Sequence, residues 1–307
     1  MRELFNVNLS DAEFPVSRQE LLSAVKEADI LVPTIGDKID ASTLSAASSN
    51  LKLIANYGAG YDHIDIKTAL QRGIIVTNTP SVLTTDTADM TMALILAIPR
   101  KLREGHEEMQ SGNWRGWSPS AMIGMRITGK KLGILGMGRI GQAIAKRAKA
   151  FDLGINYHNR RRLHRNIEES LSATYWENLE EMLSAIDILV VSASLNPSSL
   201  YLLSAKCLGK MKHTAYLVNI SRGEIIDQKA LVRQLKDGKL GGAGLDVYDS
   251  EEIIGSDFKS LKNVFLLPHM GSSTLEGRIE MGEKVIINIK TFIDGHRPPD
   301  QIVPSMI

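Results

Sequence analysis

The sequence predicts an α/β protein with two parallel sheets, each doubly wound so that helices cover both faces. Two stretches of the chain, one before residue 80 and one after residue 130, alternate short apolar runs with helical patterns. Such alternation is typical of βαβ units, in which the strands are parallel. A glycine motif, Gly136-Met-Gly138-Arg-Ile-Gly141, stands between an apolar run and a helical pattern in the second stretch. These observations together define the predicted fold class.

The first stretch consists of apolar runs bounded by Gly, Pro and Asn. They predict strands over 30–33, 51–55 and 73–77, with helices over 18–28, 42–47 and 64–72. A longer helical pattern covers 86–110 and contains Pro99. Because proline lacks the backbone N–H and clashes with the preceding turn, we expect it to kink or break this helix. An irregular loop is predicted over 112–119.

The second stretch carries more strands than the first. Its apolar runs predict strands over 131–135, 155–158, 187–191, 215–219, 244–247 and 264–267. Helical patterns over 140–150, 179–185, 204–210 and 227–236 separate them. A last long helix is predicted over 275–293, followed by an extended tail. This is the pattern of a doubly wound sheet with helices on both faces.

Composition excludes several classes of protein. The 307 residues suggest about two domains. Lysine and arginine number 36 against 35 acids, and this balance disfavours a nucleic-acid partner bound through phosphates. The single cysteine, Cys207, excludes an internal disulfide framework and a cysteine-rich metal site, and no metal is expected. With no signal-like N-terminus and no apolar run of membrane-spanning length, we expect a cytoplasmic protein without a membrane partner.

The glycine motif predicts a dinucleotide site. Gly136 permits a tight turn, Gly138 lets the backbone approach a pyrophosphate, and Gly141 lets the helix pack close to the sheet. Arg139 and Ile140 open the helix, whose N-terminal N–H groups and positive dipole end suit phosphates. Glycine is common, so an ordinary strand-to-helix turn is the structural alternative. The strand pattern before the motif and the helix pattern after it favour a dinucleotide site over this alternative.

The residues after the next strand indicate which dinucleotide binds. In a site for NAD an acid stands there, about 20 residues past the motif, and accepts a hydrogen bond from the ribose 2′-hydroxyl. Here Asn159 stands 18 residues after Gly141, and Arg160, Arg161 and Arg162 follow. Guanidinium groups bind a 2′-phosphate through charge-assisted hydrogen bonds, whereas a carboxylate repels it. The sequence therefore predicts NADP(H) as the preferred cofactor and NAD(H) as the alternative, with a solvated basic loop as the structural alternative.

Three candidate catalytic residues, Arg222, Glu251 and His269, each lie just past the carboxyl end of a predicted strand. Because ligands of open α/β sheets bind beyond these ends, the three should meet at one edge. They suit the reduction of a carbonyl beside a carboxylate. Arg222 would orient the anionic substrate, His269 would donate a proton, and Glu251 would raise the pKa of the imidazole. Each residue also has a structural alternative when it is considered alone. Arg222 could form a surface ion pair, Glu251 could belong to a solvated acidic loop, and His269 could be a turn histidine.

Several segments together resemble the D-isomer-specific 2-hydroxyacid dehydrogenase family: GMGRIGQAIAKRA, LVNISRGEIID, GLDVYDSEE and LLPHMGSST. NYGAGYDHIDIKTALQRGIIVTNTPSVLTTDTADMTMALIL is similar to that family's substrate-domain segment, and YHNRRRL resembles its NADP-preferring glyoxylate/hydroxypyruvate reductase branch. The resemblance covers about residues 50 to 285. It implies reduction of a small 2-oxo acid, glyoxylate or hydroxypyruvate, to the D-2-hydroxy acid.

The resemblance also implies roles for individual residues. Arg222 matches the arginine that orients the substrate, Glu251 the acid paired with the histidine, and His269 the proton donor. Asp246 matches an aspartate that contacts the nicotinamide carboxamide. The other positions implied to line the cofactor are Thr87, Ser194, Ile220, His269, Gly271 and Ser272, and those implied to line the substrate are Ala59, Gly60 and Leu83.

The family implies a domain organisation. A flavodoxin-like substrate-binding domain of residues 1–99 and 286–307 would be interrupted by a Rossmann cofactor domain of residues 100–285, with the active site in the cleft. Family members are commonly homodimers, and the loop from Trp114 to Trp117 resembles the segment that reaches the partner. Local core packing is the alternative for these tryptophans. The sequence departs from the family at Glu252, where proline is usual, and at Met270, where a smaller branched residue is usual.

Other functions share these motifs. One alternative is a reductase of a larger 2-oxo acid, such as 2-ketogluconate or an aryl pyruvate. A methylene or two of extra substrate changes the binding free energy by only ~1–3 kcal/mol, so the motifs do not distinguish these substrates. Phosphoglycerate dehydrogenase is a further alternative within the same class. A dinucleotide-sensing, corepressor-like binding protein is the alternative of another class, and it would be expected to carry long flanking segments for its partners.

Overall fold

The computed structural model describes residues 5–10, 15–249 and 256–303. The chain divides into two compact units. The first unit is Met1–Leu83 with Thr274–Ile307, and the second unit is Thr84–Ser273. Among the described residues, no helix combines the length and the apolar character that crossing a membrane requires.

The helices and strands follow in chain order. The first unit holds α1 (Arg18–Glu27), β1 (Ile30–Leu31), α2 (Ala41–Ala46), β2 (Leu53–Ala55), α3 (Ile66–Gln71) and β3 (Ile75–Thr77). The second unit holds α4 (Thr84–Ala97), α5 (Leu102–Ser111), β4 (Lys131–Leu135), α6 (Arg139–Ala150), β5 (Gly154–His158), α7 (Arg165–Leu171), β6 (Thr174–Tyr175), α8 (Leu179–Ala185), β7 (Ile188–Val191), α9 (Ala205–Leu208), β8 (Tyr216–Asn219), a 3₁₀ turn (Gly223–Ile225), α10 (Gln228–Lys236), β9 (Gly242–Leu245), α11 (Ser256–Lys259) and β10 (Val264–Leu266). The chain then returns to the first unit in α12 (Leu275–Ile293).

The first unit is built on a three-stranded parallel sheet in the order β1-β2-β3. Its three short helices each begin after a residue whose side chain accepts a hydrogen bond from a first-turn N–H: Ser17, Asp40 and Asp65. The long helix α12 packs against β2 through Val285 and Ile289. The predicted parallel α/β pattern of this stretch is confirmed.

The second unit is built on a seven-stranded parallel sheet in the order β10-β9-β8-β7-β4-β5-β6. Both faces are covered: α8, α9 and α10 pack on one, and α4 and α6 on the other. Strands buried on both faces read as continuous apolar runs, and the four residues of β7 accordingly have no exposed surface. The predicted doubly wound sheet is confirmed.

The predicted helix over 86–110 is broken where Pro99 indicated. α4 ends at Ala97 and α5 begins at Leu102. Between them Lys101 adopts a left-handed conformation with φ of 54°, which no helix interior tolerates. The break separates α4, which packs on the sheet, from α5, which has no buried residue.

The predicted strand over 244–247 is wrong by two residues, since β9 is Gly242–Leu245. The glycines of this strand are required by packing rather than by a turn. A Cβ on Gly244 would lie 2.3 Å from Cδ1 of Ile98, which follows α4. As a consequence, Asp246 lies immediately beyond the strand instead of inside it.

Three elements, α7, β6 and α11, have no counterpart among the predicted ones. β6 is a two-residue strand at the edge of the sheet, and one of its residues is exposed. α7 and α11 are short and mostly polar. None of them carries an apolar run long enough to show a period.

The chain passes between the two compact units at residues 83–84 and 273–274, earlier than the predicted domain crossings near residues 100 and 286. α4 packs on α6 and β8 and so belongs to the second unit, while the whole of α12 belongs to the first. Both helices bury one apolar face, and the sheet that covers this face decides their unit. The assignment of one unit to substrate and the other to cofactor stays a prediction.

Candidate active site

The carboxyl-terminal edge of the seven-stranded sheet carries the candidate site. The strand order reverses between β4 and β7, because the chain runs outward through β5 and β6 on one side and through β8, β9 and β10 on the other. Ligands of doubly wound sheets bind in the crevice at this point. Most described residues predicted for the site in the second unit lie in the loops that leave these strands. The exceptions are Thr87, which lies in α4, and Arg139, Ile140 and Gly141, which form the first turn of α6.

The glycine motif forms the turn between β4 and α6. Gly136 has a φ of 98°, which favours glycine. A Cβ there would lie 2.5 Å from the backbone nitrogen of Ala193, and one on Gly141 would lie 2.3 Å from the carbonyl oxygen of Gly136. Nothing lies within 4 Å of a Cβ on Gly138. Two glycines are therefore needed for packing, and the third leaves open space beside the backbone.

The N-terminus of α6 supplies hydrogen-bond donors to this open space. Gly138 is its N-cap, and no side chain caps the helix. Within the ranges that the structure describes, the N–H groups of Gly138, Arg139 and Ile140 have no acceptor. Uncapped N–H groups at the positive end of a helix dipole bind phosphates. The turn therefore fits the pyrophosphate of a dinucleotide.

The three arginines in the loop after β5 differ in their contacts with the protein. Asn159 ties the loop to the glycine motif, since its Oδ1 accepts a hydrogen bond of 2.7 Å from the Met137 N–H. Arg162 forms a two-pronged ion pair with Glu168, at 2.9 and 2.8 Å. Arg160 and Arg161 are exposed, and neither forms a hydrogen bond or ion pair with any described residue. The structure thus leaves these two guanidinium groups available to a ligand.

Arg222 lies beyond β8 in a loop held by a buried amide. Asn219 has no exposed surface; its Nδ2 donates to the carbonyl oxygen of Arg222 at 2.9 Å, and its Oδ1 accepts from the Ser221 N–H at 3.1 Å. The Ser221 hydroxyl donates to the carbonyl oxygen of Ala193 in the loop after β7. The main chain on both sides of Arg222 is therefore fixed at the sheet edge.

His269 lies beyond β10 and is held by a buried carboxylate. Asp246 is 1% exposed, and its two oxygens accept hydrogen bonds from the N–H groups of Met270 at 2.8 Å and Gly271 at 2.7 Å. The His269 N–H donates to the carbonyl oxygen of Asp246 at 2.9 Å. His269 itself has a φ of 53°, a left-handed conformation that is uncommon outside glycine. The loops after β9 and β10 are thereby joined.

Tyr248 also links the segments that follow β9 and β10. Its buried hydroxyl lies 3.0 Å from the carbonyl oxygen of Leu245 and 2.7 Å from that of Leu267. Glu251, the predicted partner of His269, and its neighbour Glu252 lie outside the described residues. The role predicted for Glu251 stays a prediction. Among the described residues, no group of three or more His, Cys, Asp or Glu side chains could hold a metal ion.

The remaining predicted residues occupy varied positions. Thr87 of α4 is 7% exposed, and its methyl group lies 3.8 Å from where a Cβ on Gly271 would stand. The structure therefore brings Thr87 to the loop that follows His269. Of the others, Ser194 is exposed, Ile220 is buried, and Ser272 and Leu83 are half-buried.

In the first unit, the loop after β2 contains the predicted Ala59 and Gly60. The side-chain amide of Asn56 donates to the carbonyl oxygens of Gly58 at 3.0 Å and Gly60 at 2.8 Å. Asn78 donates to that of Ala59 at 2.7 Å. In the described part of the chain, the N–H groups of the same three residues have no acceptor. Successive free N–H groups of this kind form an anion-binding concavity.

Sequence reasoning missed the residues that hold these loops: Asn56, Asn78, Glu168, Asn219 and Tyr248. A signal existed for Asn56, which directly follows an apolar strand, and for Asn219, which is the last residue of one. A buried amide at such a position has to find backbone partners. Glu168 had no such signal. It belongs to a polar segment, and only the packing of α7 buries it.

The fold and the glycine motif define a class, that of dinucleotide-binding proteins with a doubly wound sheet. Comparison with known proteins agrees. The family model for the NAD binding domain of D-isomer specific 2-hydroxyacid dehydrogenases matches residues 92–271. A glyoxylate reductase of Pyrococcus furiosus is 42% identical over 311 aligned residues, which span 100% of this chain and 92% of the relative.

Solved structures are also similar. A glyoxylate reductase from Paecilomyes thermophila superposes with a TM-score of 0.86 at 33% identity, over 95% of this chain and 90% of that one. An NADPH-dependent glyoxylate/hydroxypyruvate reductase from Sinorhizobium meliloti, in complex with NADP and malonate, has a TM-score of 0.83 at 33% identity, over 94% and 86% of the two chains.

The chain belongs to the D-isomer specific 2-hydroxyacid dehydrogenase family. It is an oxidoreductase, and its cofactor is a nicotinamide dinucleotide. The predicted family and enzyme class are confirmed.

Proposed function

We propose that this enzyme reduces glyoxylate or hydroxypyruvate to the 2-hydroxy acid, of D configuration where the product is chiral, with NADPH as the preferred cofactor. The observation that carries the proposal is the Asp246 carboxylate, which holds the His269 loop at the sheet edge that also presents Arg222. The likeness to a glyoxylate reductase at 42% identity supports the substrate class.

In this proposal each residue has one task. Arg222 binds the anionic substrate through charge-assisted hydrogen bonds and fixes its orientation. His269 donates a proton from a ring nitrogen to the carbonyl oxygen, and Glu251 stabilises the protonated imidazole. The N–H groups of Ala59 and Gly60 bind the substrate carboxylate. The bound dinucleotide supplies the hydride that the carbonyl carbon accepts.

The preference for NADPH rests on Arg160 and Arg161. Both are exposed, without a partner among the described residues, and no acid stands at the end of β5 to accept a bond from a ribose hydroxyl. A guanidinium group binds the dianionic 2′-phosphate of NADPH and has no equivalent partner in NADH. A tighter apparent binding of NADH than of NADPH would contradict this preference.

A kinetic panel tests the function. NADPH and NADH oxidation should be followed with glyoxylate, hydroxypyruvate, pyruvate, phenylpyruvate and 2-ketogluconate, using the wild type and the His269→Ala variant. We expect the highest kcat/KM for glyoxylate or hydroxypyruvate with NADPH, and a loss of about 10²-fold or more in the variant. Unchanged turnover in the variant would remove His269 as the proton donor, and a higher kcat/KM for a larger acid would replace the substrate.

The association proposed for this chain is a homodimer. Trp117 is 85% exposed and Trp114 is 55% exposed, and both are accompanied by exposed Met109 and Ile123. These four residues lie in one segment of the chain, and large exposed apolar side chains favour burial in an interface. Light scattering should give twice the mass of the chain, and a Trp117→Ser variant should shift the equilibrium towards monomer. A monomeric wild type at micromolar concentration would refute the dimer.

A further inference from the structure

The segment between β5 and α7 is held at both ends and free in the middle. At its start, Asn159 accepts a hydrogen bond from Met137 in the glycine motif. At its end, the Leu163 N–H donates to the Tyr157 hydroxyl at 3.0 Å. Arg160 and Arg161 stand between these two attachments. A loop of this length has little freedom left once both ends are fixed, so the positions of the two arginines depend on the attachments.

The attachment at the far end depends on one buried carboxylate. Glu168 of α7 is 6% exposed. Its Oε1 accepts a hydrogen bond of 2.6 Å from the Tyr157 hydroxyl and one of 2.9 Å from Nε of Arg162, and its Oε2 accepts one of 2.8 Å from Nη2 of Arg162. The same carboxylate therefore holds Arg162 directly and orients the hydroxyl that binds Leu163.

Aromatic packing completes the arrangement. The guanidinium carbon of Arg162 lies 5.6 Å from the centre of the Tyr175 ring, within the range of a cation–π contact. The Tyr157 and Tyr175 rings lie 5.3 Å apart. Arg162 is thus fixed by a fork of hydrogen bonds and by a ring face, whereas its two neighbours are held only through the main chain.

We propose that Glu168 is a positioning residue for cofactor selectivity: by holding Arg162 and the Tyr157 hydroxyl, it presents Arg160 and Arg161 to the 2′-phosphate of NADPH. This inference rests on the proposed preference for NADPH. It assigns two of the three consecutive arginines to the ligand and the third to the loop itself. Glu168 touches neither cofactor nor substrate in this role.

Glu168 carries its negative charge at neutral pH. The hydrogen bonds from Arg162 and Tyr157 lower the pKa of its carboxyl to about 2. Near neutral pH the carboxyl is therefore ionised and available for the ion pair with Arg162.

A pair of matched variants tests the inference. Glu168→Gln keeps the side-chain volume and removes the charge and the two-pronged acceptor. Glu169→Gln changes the next residue of the same helix, an exposed carboxylate that pairs with Arg165 at 2.8 Å. Dissociation constants and KM should be measured for NADPH and NADH with the holoenzyme, together with kcat and the thermal midpoint.

We expect Glu168→Gln to raise the Kd and KM for NADPH about tenfold, the order of one charge-assisted contact. The values for NADH should stay within about twofold, and kcat at saturating cofactor should be retained. Glu169→Gln should match the wild type. A residue that merely supported the fold would weaken both cofactors together, so an equal loss for NADPH and NADH overturns the inference, as does an unchanged or lower KM for NADPH.

Three further variants keep the result decisive. If Glu168→Gln does not fold, Tyr157→Phe removes only the hydroxyl that joins Leu163 to Glu168, and it should weaken NADPH selectively as well. Arg160→Ala and Arg161→Ala test the proposed function itself. If they leave NADPH binding unchanged, the preference for NADPH fails; if they weaken it while Glu168→Gln and Tyr157→Phe do not, only the positioning role of Glu168 is overturned.

Discussion

Two buried carboxylates hold loops at the same edge of the large sheet, and they do it in different ways. Asp246 is satisfied by main-chain N–H groups, those of Met270 and Gly271. Glu168 is satisfied by side chains, those of Arg162 and Tyr157. A carboxylate bound to the main chain fixes the backbone path beside the proposed proton donor, His269. A carboxylate bound to side chains fixes a surface loop and depends on partners that substitution can change.

The comparison predicts that a substitution of Asp246 lowers kcat more than a substitution of Glu168. In an Asp246→Asn variant, the amide NH₂ faces an N–H that needs an acceptor, and leaving a buried donor unsatisfied costs about 1–3 kcal/mol. The His269 loop should shift, and a misplacement of about 1 Å can lower the rate about 10²-fold. We expect kcat to fall by about that factor.

A control separates this loss of rate from a loss of stability. Asp187 also accepts a main-chain hydrogen bond, from the Lys131 N–H at 2.9 Å, and pairs with Lys212 at 2.8 Å. It precedes β7, at the opposite end of the strands. Asp187→Asn should lower the thermal midpoint and leave kcat within about twofold. If both variants lose stability and neither loses kcat, Asp246 does not position His269.

The next largest effect is expected at Gly271, on the same side of the comparison. A Cβ there would lie 2.8 Å from Oδ2 of Asp246, so an alanine would push the carboxylate away from its N–H partners. We expect Gly271→Ala to lower kcat about tenfold, the equivalent of one weakened hydrogen bond. Gly282→Ala in α12, where a Cβ meets nothing within 4 Å, should leave kcat unchanged. Equal rates in the two variants would contradict the close contact.

The Glu168 side of the comparison predicts a dependence of stability on pH. The pKa of this carboxyl falls from its ordinary value of 4.5 to about 2 in the fold. A depressed pKa stabilises the folded state above the unfolded-state pKa, and the contribution is lost as the pH falls through the folded-state value. The difference in the free energy of unfolding between wild type and Glu168→Gln should therefore be larger at pH 7 than at pH 3. Urea unfolding at both values measures it, and a difference independent of pH would show that the ion pair contributes nothing.

The smallest effect is expected for Arg162→Lys. Lysine keeps the charge but lacks the planar fork that matches a carboxylate. We expect the KM for NADPH to rise about threefold, comparable to one weakened exposed hydrogen bond, and the KM for NADH to remain unchanged. Arg165→Lys, in an exposed pair one turn away, is the matched control. A tighter binding of NADPH would mean that the side chain at this position contacts the phosphate directly.

Sequence reasoning located the strands and much of the site because both follow from local patterns. Arg222 and His269 each lie just past the end of a predicted strand, and the structure places them in loops at one edge of the sheet. The prediction began β9 two residues late and left out Gly242, which, like Gly244, admits Ile98 against the strand because it has no side chain. Of the three consecutive arginines, Arg160 and Arg161 are the ones predicted to bind the cofactor, and the structure supplies a different role for Arg162, which pairs with Glu168.

The sequence by itself determined the fold class, the family, the glycine turn and the strand-end residues that suit carbonyl reduction. Each of these depends on residues that are neighbours in the chain, where period and spacing carry the information. Only the tertiary structure decided which polar residues hold the loops. Asp246 meets Met270 and Gly271, and Asn56 meets Gly60, through a fold that buries their charges and amides. A buried polar group must find a partner wherever the packing provides one, and that partner has no fixed distance along the sequence.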